Sequence, residues 1–265
     1  MVDFERKEIY NINDLVEIMR LLRAPGGCPW DAEQTHESIK KNLIEETYEV
    51  VEAINKQDNE LLCEELGDLL MQVVFHACMG SEKDVFDFDD VCNGVCQKLV
   101  ERHPHVFGET KISGVEDVLT NWDDIKRKSK GQKTTTQSML SVPRELPALM
   151  RATKLQKKAA DVGFDWNDVS GALDKLQEEI DELRQAVENK DSQNMNEELG
   201  DVLFSAVNVS RFIKSDAEEA LTAASDKFLA RFTTVEKLAQ ERGVDMKSST
   251  IEELDKLWDE AKSVN

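Results

Sequence analysis

The sequence predicts an all-α fold built as two tandem copies of one four-to-five-helix bundle, on three observations. Apolar residues recur at spacings of three and four, while strand-like alternation and hairpin turns are nearly absent. Only 12 Gly and 5 Pro punctuate the 265 residues. The motif EELGD at Glu64–Asp68 returns at Glu197–Asp201, an offset of 133 residues.

Taken in order, the first informative element is NLIEETYEVVEAI, Asn42 to Ile54. At about 100° per residue its apolar face holds Leu43, Thr47, Val50, Val51 and Ile54. Glu46 and Glu49 sit at the flank of that face, three apart and therefore neighbours on the helix surface. Glu45 and Glu52 lie opposite, with Glu45 turned toward water or an approaching substrate. The next helix contains EELGDLLMQVVF, Glu64 to Phe75. Leu62, Leu66, Leu69, Leu70, Val73 and Val74 make it broadly apolar, and Glu65, Asp68, Gln72 and His76 run through it as one narrow polar stripe. A later helix offers Lys98 and Arg102, one turn apart, and Trp122 precedes Lys126 by the same spacing. His103–His105 flanks Pro104, which stops a helix, and is read as structural. Lys126–Ser138 (KRKSKGQKTTTQS) lacks apolar periodicity, and Pro143 and Pro147 follow it. This predicts an N-terminal domain over 1–127, a linker over 128–149 and a C-terminal domain over 150–265.

The second copy repeats the first in register. EETYE (45–49) parallels EEIDE (178–182), Lys98 and Arg102 parallel Lys227 and Arg231, and Trp122 and Lys126 parallel Trp258 and Lys262. GCPWD (27–31) parallels GFDWN (163–167). The offsets drift only between helices, where insertions are tolerated. Glu198, Asp201 and Ser205 repeat the polar stripe among Leu199, Val202, Leu203, Phe204 and Ala206.

Carboxylates on such apolar helices are costly to bury alone, so they call for cations or a metal. Two helices each offering two of them form an oxygen-only cage, which suits Mg²⁺ or Mn²⁺ better than zinc. A di-iron bundle would require E-x-x-H on two helices, and here that pattern occurs only at Glu33–His36. Mg²⁺ held by carboxylates takes phosphate oxygens as further ligands; Lys98, Arg102, Lys227 and Arg231 supply the matching positive charge. No P-loop motif is present. The competing reading is a helical interaction protein whose acidic pairs only solubilise a dimerising bundle, since 54 acidic residues make such pairs common. Four aligned carboxylates, an apolar setting and recurrence in register favour the metal site. The net charge of -21 argues against a nucleic-acid surface. No apolar run is long enough for a membrane span. Five Cys without a CxxC pair read as reduced thiols in a cytoplasm.

E-E-x-x-E followed by E-x-x-D on the next helix, then K-x-x-x-R and W-x-x-x-K, resembles the MazG nucleoside triphosphate pyrophosphohydrolases of the all-α NTP pyrophosphatase superfamily. GGCPWD (26–31), ERHPHVFGE (101–109) and VGFDWNDV (162–169) resemble its two-domain bacterial form. The resemblance implies a Mg²⁺-dependent homodimer that hydrolyses nucleoside triphosphates to monophosphate and pyrophosphate, for house-cleaning or nucleotide-pool control. It implies metal binding by Glu179, Glu182, Glu198 and Asp201, with Glu178, Glu179 and Glu182 catalytic. Nucleotide contacts fall on Lys175, Glu178, Glu197, Lys227, Arg231, Trp258 and Lys262, and the C-terminal copy is expected to carry the main activity. A possible second site comprises Glu45, Glu46, Glu49, Glu65, Asp68, Lys98, Arg102, Trp122 and Lys126. There the position matching Lys175 is Asn42, which removes a cation.

Overall fold

The computed structural model describes residues 4–109, 114, 125, 131 and 133–264, with no strand among them. Trp122 and Lys126 lie outside the described residues. The chain divides into two compact units, Met1–Lys126 and Arg127–Asn265.

In the first unit α1 (Ile12–Arg23) starts at Asn11, whose side chain caps the Asn13 N–H while Asp14 returns the contact to the Asn11 N–H. The chain then turns sharply through Gly27, where a Cβ would stand 2.3 Å from the Leu21 carbonyl oxygen, so only glycine fits. α2 (Pro29–Glu33) is short and begins on Pro29. α3 (Lys40–Lys56) and α4 (Asn59–Ser81) form a hairpin. Its tight turn places Gln57 in the left-handed region, φ 55°, and Asp58 then caps the first turn of α4. α5 (Phe88–Arg102) and the single turn α6 (Pro104–Phe107) complete the unit among the described residues.

The core holds Met19, Ile39, Val74, Phe75 and Met79, with Leu15, Val16 and Met71 packed against it. Arg23 locks its edge: Nε and Nη2 donate to the two carboxylate oxygens of Glu82 at 2.6 and 2.8 Å. Nη1 donates to the backbone oxygens of Asp31 and Gln34, and the guanidinium lies over the Phe75 ring. One cation thus joins the end of α1, the turn before α3 and the end of α4.

The inward face of α3 differs from the wheel prediction. Val50 and Ala53 are buried, whereas Val51 is 44% and Ile54 54% exposed. Ala53, fully buried, lets the two helices approach closely near the turn, and this crossing rotates the inward face one position toward Glu46.

In the second unit α7 (Thr135–Leu140) and α8 (Ala148–Ala160) precede a second hairpin, α9 (Val169–Asn189) and α10 (Ser192–Phe212). The sequence leaves 128–149 as linker, yet α7 forms there behind a Thr134/Gln137 capping box, and Val142 is buried after it. Composition hides this element because its six residues are too few for a periodicity. The α9–α10 turn reproduces the first: Lys190 has φ 56°, and Asp191 caps the helix that follows. Ala186 is as buried as its counterpart Ala53. Gln156 Nε2 donates to the Phe204 carbonyl at 2.8 Å and ties α8 to α10. α11 (Ala217–Glu241) and α12 (Ile251–Val264) pack around Val235, Ala239, Leu257 and Ala261.

His36, in the turn before α3, pairs with His76 of α4. His36 Nδ1 lies 2.8 Å from His76 Nδ1, so one ring donates and the other accepts. Burial, and then the charge His36 would carry, push the His76 imidazole below the ordinary histidine range. A base depressed in the fold binds fewer protons than in the unfolded chain, so stability is lost on acidification through the region at and below about pH 6.5. Urea midpoints should therefore fall between neutral pH and about pH 5, and the His76→Phe protein should show a flatter dependence. Parallel pH curves for the two proteins would remove this pair as a cause.

Candidate metal site

Each helix hairpin brings three carboxylates together. On α3 and α4 these are Glu46, Glu49 and Glu65; on α9 and α10 they are Glu179, Glu182 and Glu198. In each trio the oxygens lie within 4.8 Å of one another. The local reason is the spacing: Glu46 and Glu49, like Glu179 and Glu182, share a helix flank, and antiparallel packing sets the opposite helix's glutamate against them. Asp68 and Asp201 stand one turn further and fall outside the trios, although Asp68 bears electrostatically on Glu46, and Asp201 on Glu198. The quartets read from sequence are therefore trios with an adjacent aspartate.

The electrostatics are strained in the way such crowding requires. Burial first, and then Glu179 and Asp201, push Glu198 above the usual carboxylate range. Glu182 is pushed up by its hydrogen bond to Glu179, then by burial and the charges of Glu179 and Glu198. In the first unit burial raises both Glu46 and Glu65, with neighbouring carboxylates adding to it. A divalent cation fits this donor set: three hard oxygens converge, and their mutual repulsion is what such an ion relieves.

The two trios have different partners. Glu179 is 6% exposed, and Lys175 Nζ sits 2.8 Å from it and 2.7 Å from Glu178. Those two bonds push the lysine pKa up. In the first unit, where Asn42 replaces that lysine, Gln72 reaches across from α4 and its Nε2 donates to Glu46 Oε1 at 3.3 Å. Gln72 is 4% exposed, and its Oε1 has no hydrogen-bond partner. The polar stripe contained Gln72, but its pairing with Glu46 was not legible because it spans two helices. The same holds for His36 with His76.

The remaining predicted residues are spread over other surfaces. Glu45, Glu178 and Glu197 are exposed on the hairpin helices. Lys98 and Arg102 lie on α5, Lys227 and Arg231 on α11. Trp258 on α12 packs against Phe228 at 5.3 Å, and Phe228 stacks on Phe232. Lys262 pairs with Asp259 at 2.8 Å. Among the described residues no hydrogen bond or ion pair links Lys227, Arg231, Trp258 or Lys262 to the C-terminal trio.

The profile of the MazG nucleotide pyrophosphohydrolase domain matches residues 34–107 and again 168–237, each span containing one acidic hairpin. The chain belongs to the MazG family. It resembles the nucleoside triphosphate pyrophosphohydrolase of Escherichia coli K12 at 45% identity over 256 residues, covering 95% of this chain and 97% of that protein. The nucleoside triphosphate pyrophosphohydrolase/pyrophosphatase MazG of Thermotoga maritima is 44% identical over 249 residues, 94% of each chain. YabN of Bacillus subtilis is 49% identical over 262 residues, 97% of this chain and 53% of its own length. This MazG chain is an enzyme, a hydrolase. All five cysteines are free, and no helix among the described residues is long and apolar enough to cross a membrane.

Proposed function

We propose that this MazG chain hydrolyses ribo- and deoxyribonucleoside triphosphates to the monophosphate and pyrophosphate, dependent on Mg²⁺, with Mn²⁺ as substitute. The carrying observation is the Glu179–Glu182–Glu198 trio, three carboxylates within 4.8 Å on facing helices. Relatives named as nucleoside triphosphate pyrophosphohydrolases over nearly the full length support the reaction.

Glu179, Glu182 and Glu198 would hold the metal, with Asp201 one turn away as a further ligand. When bound, Mg²⁺ supplies Lewis-acid polarisation of phosphorus and a water of lowered pKa. Glu178, outside the trio and hydrogen-bonded to Lys175, or else Glu179, would accept the proton of the attacking water. Lys175 bridges Glu178 and Glu179 and can exchange either carboxylate for a substrate phosphate oxygen. Lys227, Arg231 and Lys262 would neutralise charge on the pyrophosphate, with Trp258 and Glu197 toward the nucleoside. The main activity is assigned to the C-terminal copy, and the role is nucleotide-pool control or house-cleaning. Exposed apolar side chains on the hairpins, Ile44, Tyr48 and Val51 on α3 and Leu173 and Val187 on α9, support a homodimer that covers them.

The purified chain should release pyrophosphate, not orthophosphate, from a nucleotide panel with Mg²⁺ and release none in EDTA. Orthophosphate as the first product, or activity that survives the chelator, would overturn this reading. The Lys175–Glu179 bond adds a second expectation. Because the ammonium competes with a metal for Glu179, Lys175→Met should strengthen Mn²⁺ binding severalfold without nucleotide, read by electron paramagnetic resonance. Unchanged Mn²⁺ affinity would mean that the lysine does not compete.

A further inference from the structure

The second unit carries a cleft of about 570 Å³ between α7 and the start of α8, remote in character from the acidic hairpins. Its polar lining is cationic and hydroxylic, with Arg144, Arg151, Thr136 and Ser141, and its wall is apolar, with Val142 and Leu155. No acidic side chain lines it. Arg151 lies one turn before Leu155 on the α8 face that meets α7, and its Nε is buried without a hydrogen-bond partner. Neither Arg144 nor Arg151 makes an ion pair among the described residues. Behind the cleft, Lys158 Nζ donates to Ser138 Oγ at 2.5 Å, and Ser138 is 3% exposed. Between Lys133 and Lys158 six Lys and Arg stand against one acid, Glu145, in a chain whose net charge is -21.

A buried guanidinium donor without a partner is unfavourable in a folded protein, and this chain has acids in excess with which it could have been paired. Two unpaired guanidinium forks suit an anion of more than one charge, which phosphate provides and a single carboxylate does not. The Thr136 hydroxyl adds a donor for a phosphate oxygen, while that of Ser141 is held by the Ser138 carbonyl at 2.7 Å. The apolar wall asks for an organic portion, and the cleft volume lies within the range of about 300–1,000 Å³ typical of small-molecule sites. We propose that this cleft binds an organic phosphate of nucleotide size through Arg144 and Arg151, without metal. The site is independent of the acidic trios, which need a divalent cation to accept any phosphate.

The full-length protein in EDTA, titrated calorimetrically with AMP, tests this. The expected result is saturable AMP binding, several-fold weaker orthophosphate binding and no adenosine binding. Arg144→Gln and Arg151→Leu should each weaken AMP by roughly tenfold or more. Arg151→Lys, which keeps the charge and loses the fork, should fall between. Lys175→Met should bind AMP as the unaltered protein does, because the lysine lies at the trio and not in the cleft. Failure of AMP to saturate, or arginine variants binding like the unaltered protein, overturns the proposal. Loss of binding in Lys175→Met overturns it too, by placing the phosphate on the cation beside the trio. Orthophosphate binding as tightly as AMP overturns its organic part, and adenosine binding as tightly as AMP overturns its anionic part. Should Arg151→Leu fail to fold, Arg144→Gln carries the test, because Arg144 is exposed and its loss leaves the helix packing intact.

Discussion

Glu179→Gln is expected to reduce nucleotide hydrolysis about a hundredfold to ten-thousandfold with Mg²⁺ present, the span set by several kcal/mol of metal-borne stabilisation. The substitution preserves shape and removes one of three converging charges. It also removes the charge of one of the two carboxylates that hold Lys175, whose ammonium is 2.8 Å from Glu179. Glu182→Gln should behave similarly, because Glu182 shares a hydrogen bond with Glu179 and its charged form is already disfavoured. The matched change in the first unit, Glu46→Gln, should cost far less if the C-terminal copy carries the activity. Steady-state kinetics on the three variants decide the matter: equal losses at Glu46 and Glu179 would defeat the division of labour. A Glu179→Gln protein as fast as its parent would remove the trio from the reaction.

The largest effect on stability is expected from Phe75→Ala, at about 3–5 kcal/mol. Phe75 is 4% exposed in the first core, among Met19, Ile39, Val74 and Met79. Removing it opens a cavity and also takes away the ring under Arg23, a cation–π contact of 5.3 Å. Since a domain's whole stability is about 5–15 kcal/mol, the first unit should unfold at a clearly lower urea concentration. Its metal affinity should fall with it, because α4 carries both Phe75 and Glu65. An unmoved urea midpoint would mean that this cluster is not the core of the unit.

Much of this was legible beforehand because it is local. Helical periodicity and the acidic spacing Glu178–Glu179–Glu182 depend only on residues a turn or two apart. The αL turns at Gln57 and Lys190, each followed by a capping aspartate, recur at the offset of the EELGD motif, though nothing in the helical period marks them. The wheel misjudged Val51 and Ile54 because a wheel has no partner helix: the crossing at Ala53 decides which side of α3 is covered. α7 escaped notice because a six-residue element in a polar segment leaves no period to read.

By itself, then, the sequence determined that this MazG chain is helical and tandem, and that its carboxylates ride on apolar helices; short-range sterics and charge spacing suffice for those properties. Only the tertiary structure decided that three acids of each four converge, that Gln72 serves Glu46 where Lys175 serves Glu179, and that His36 meets His76. It also set Arg144 and Arg151 around a shared cleft. Each of these depends on the angle and depth at which two helices meet, a quantity that burial of their apolar faces sets jointly and neither segment encodes alone.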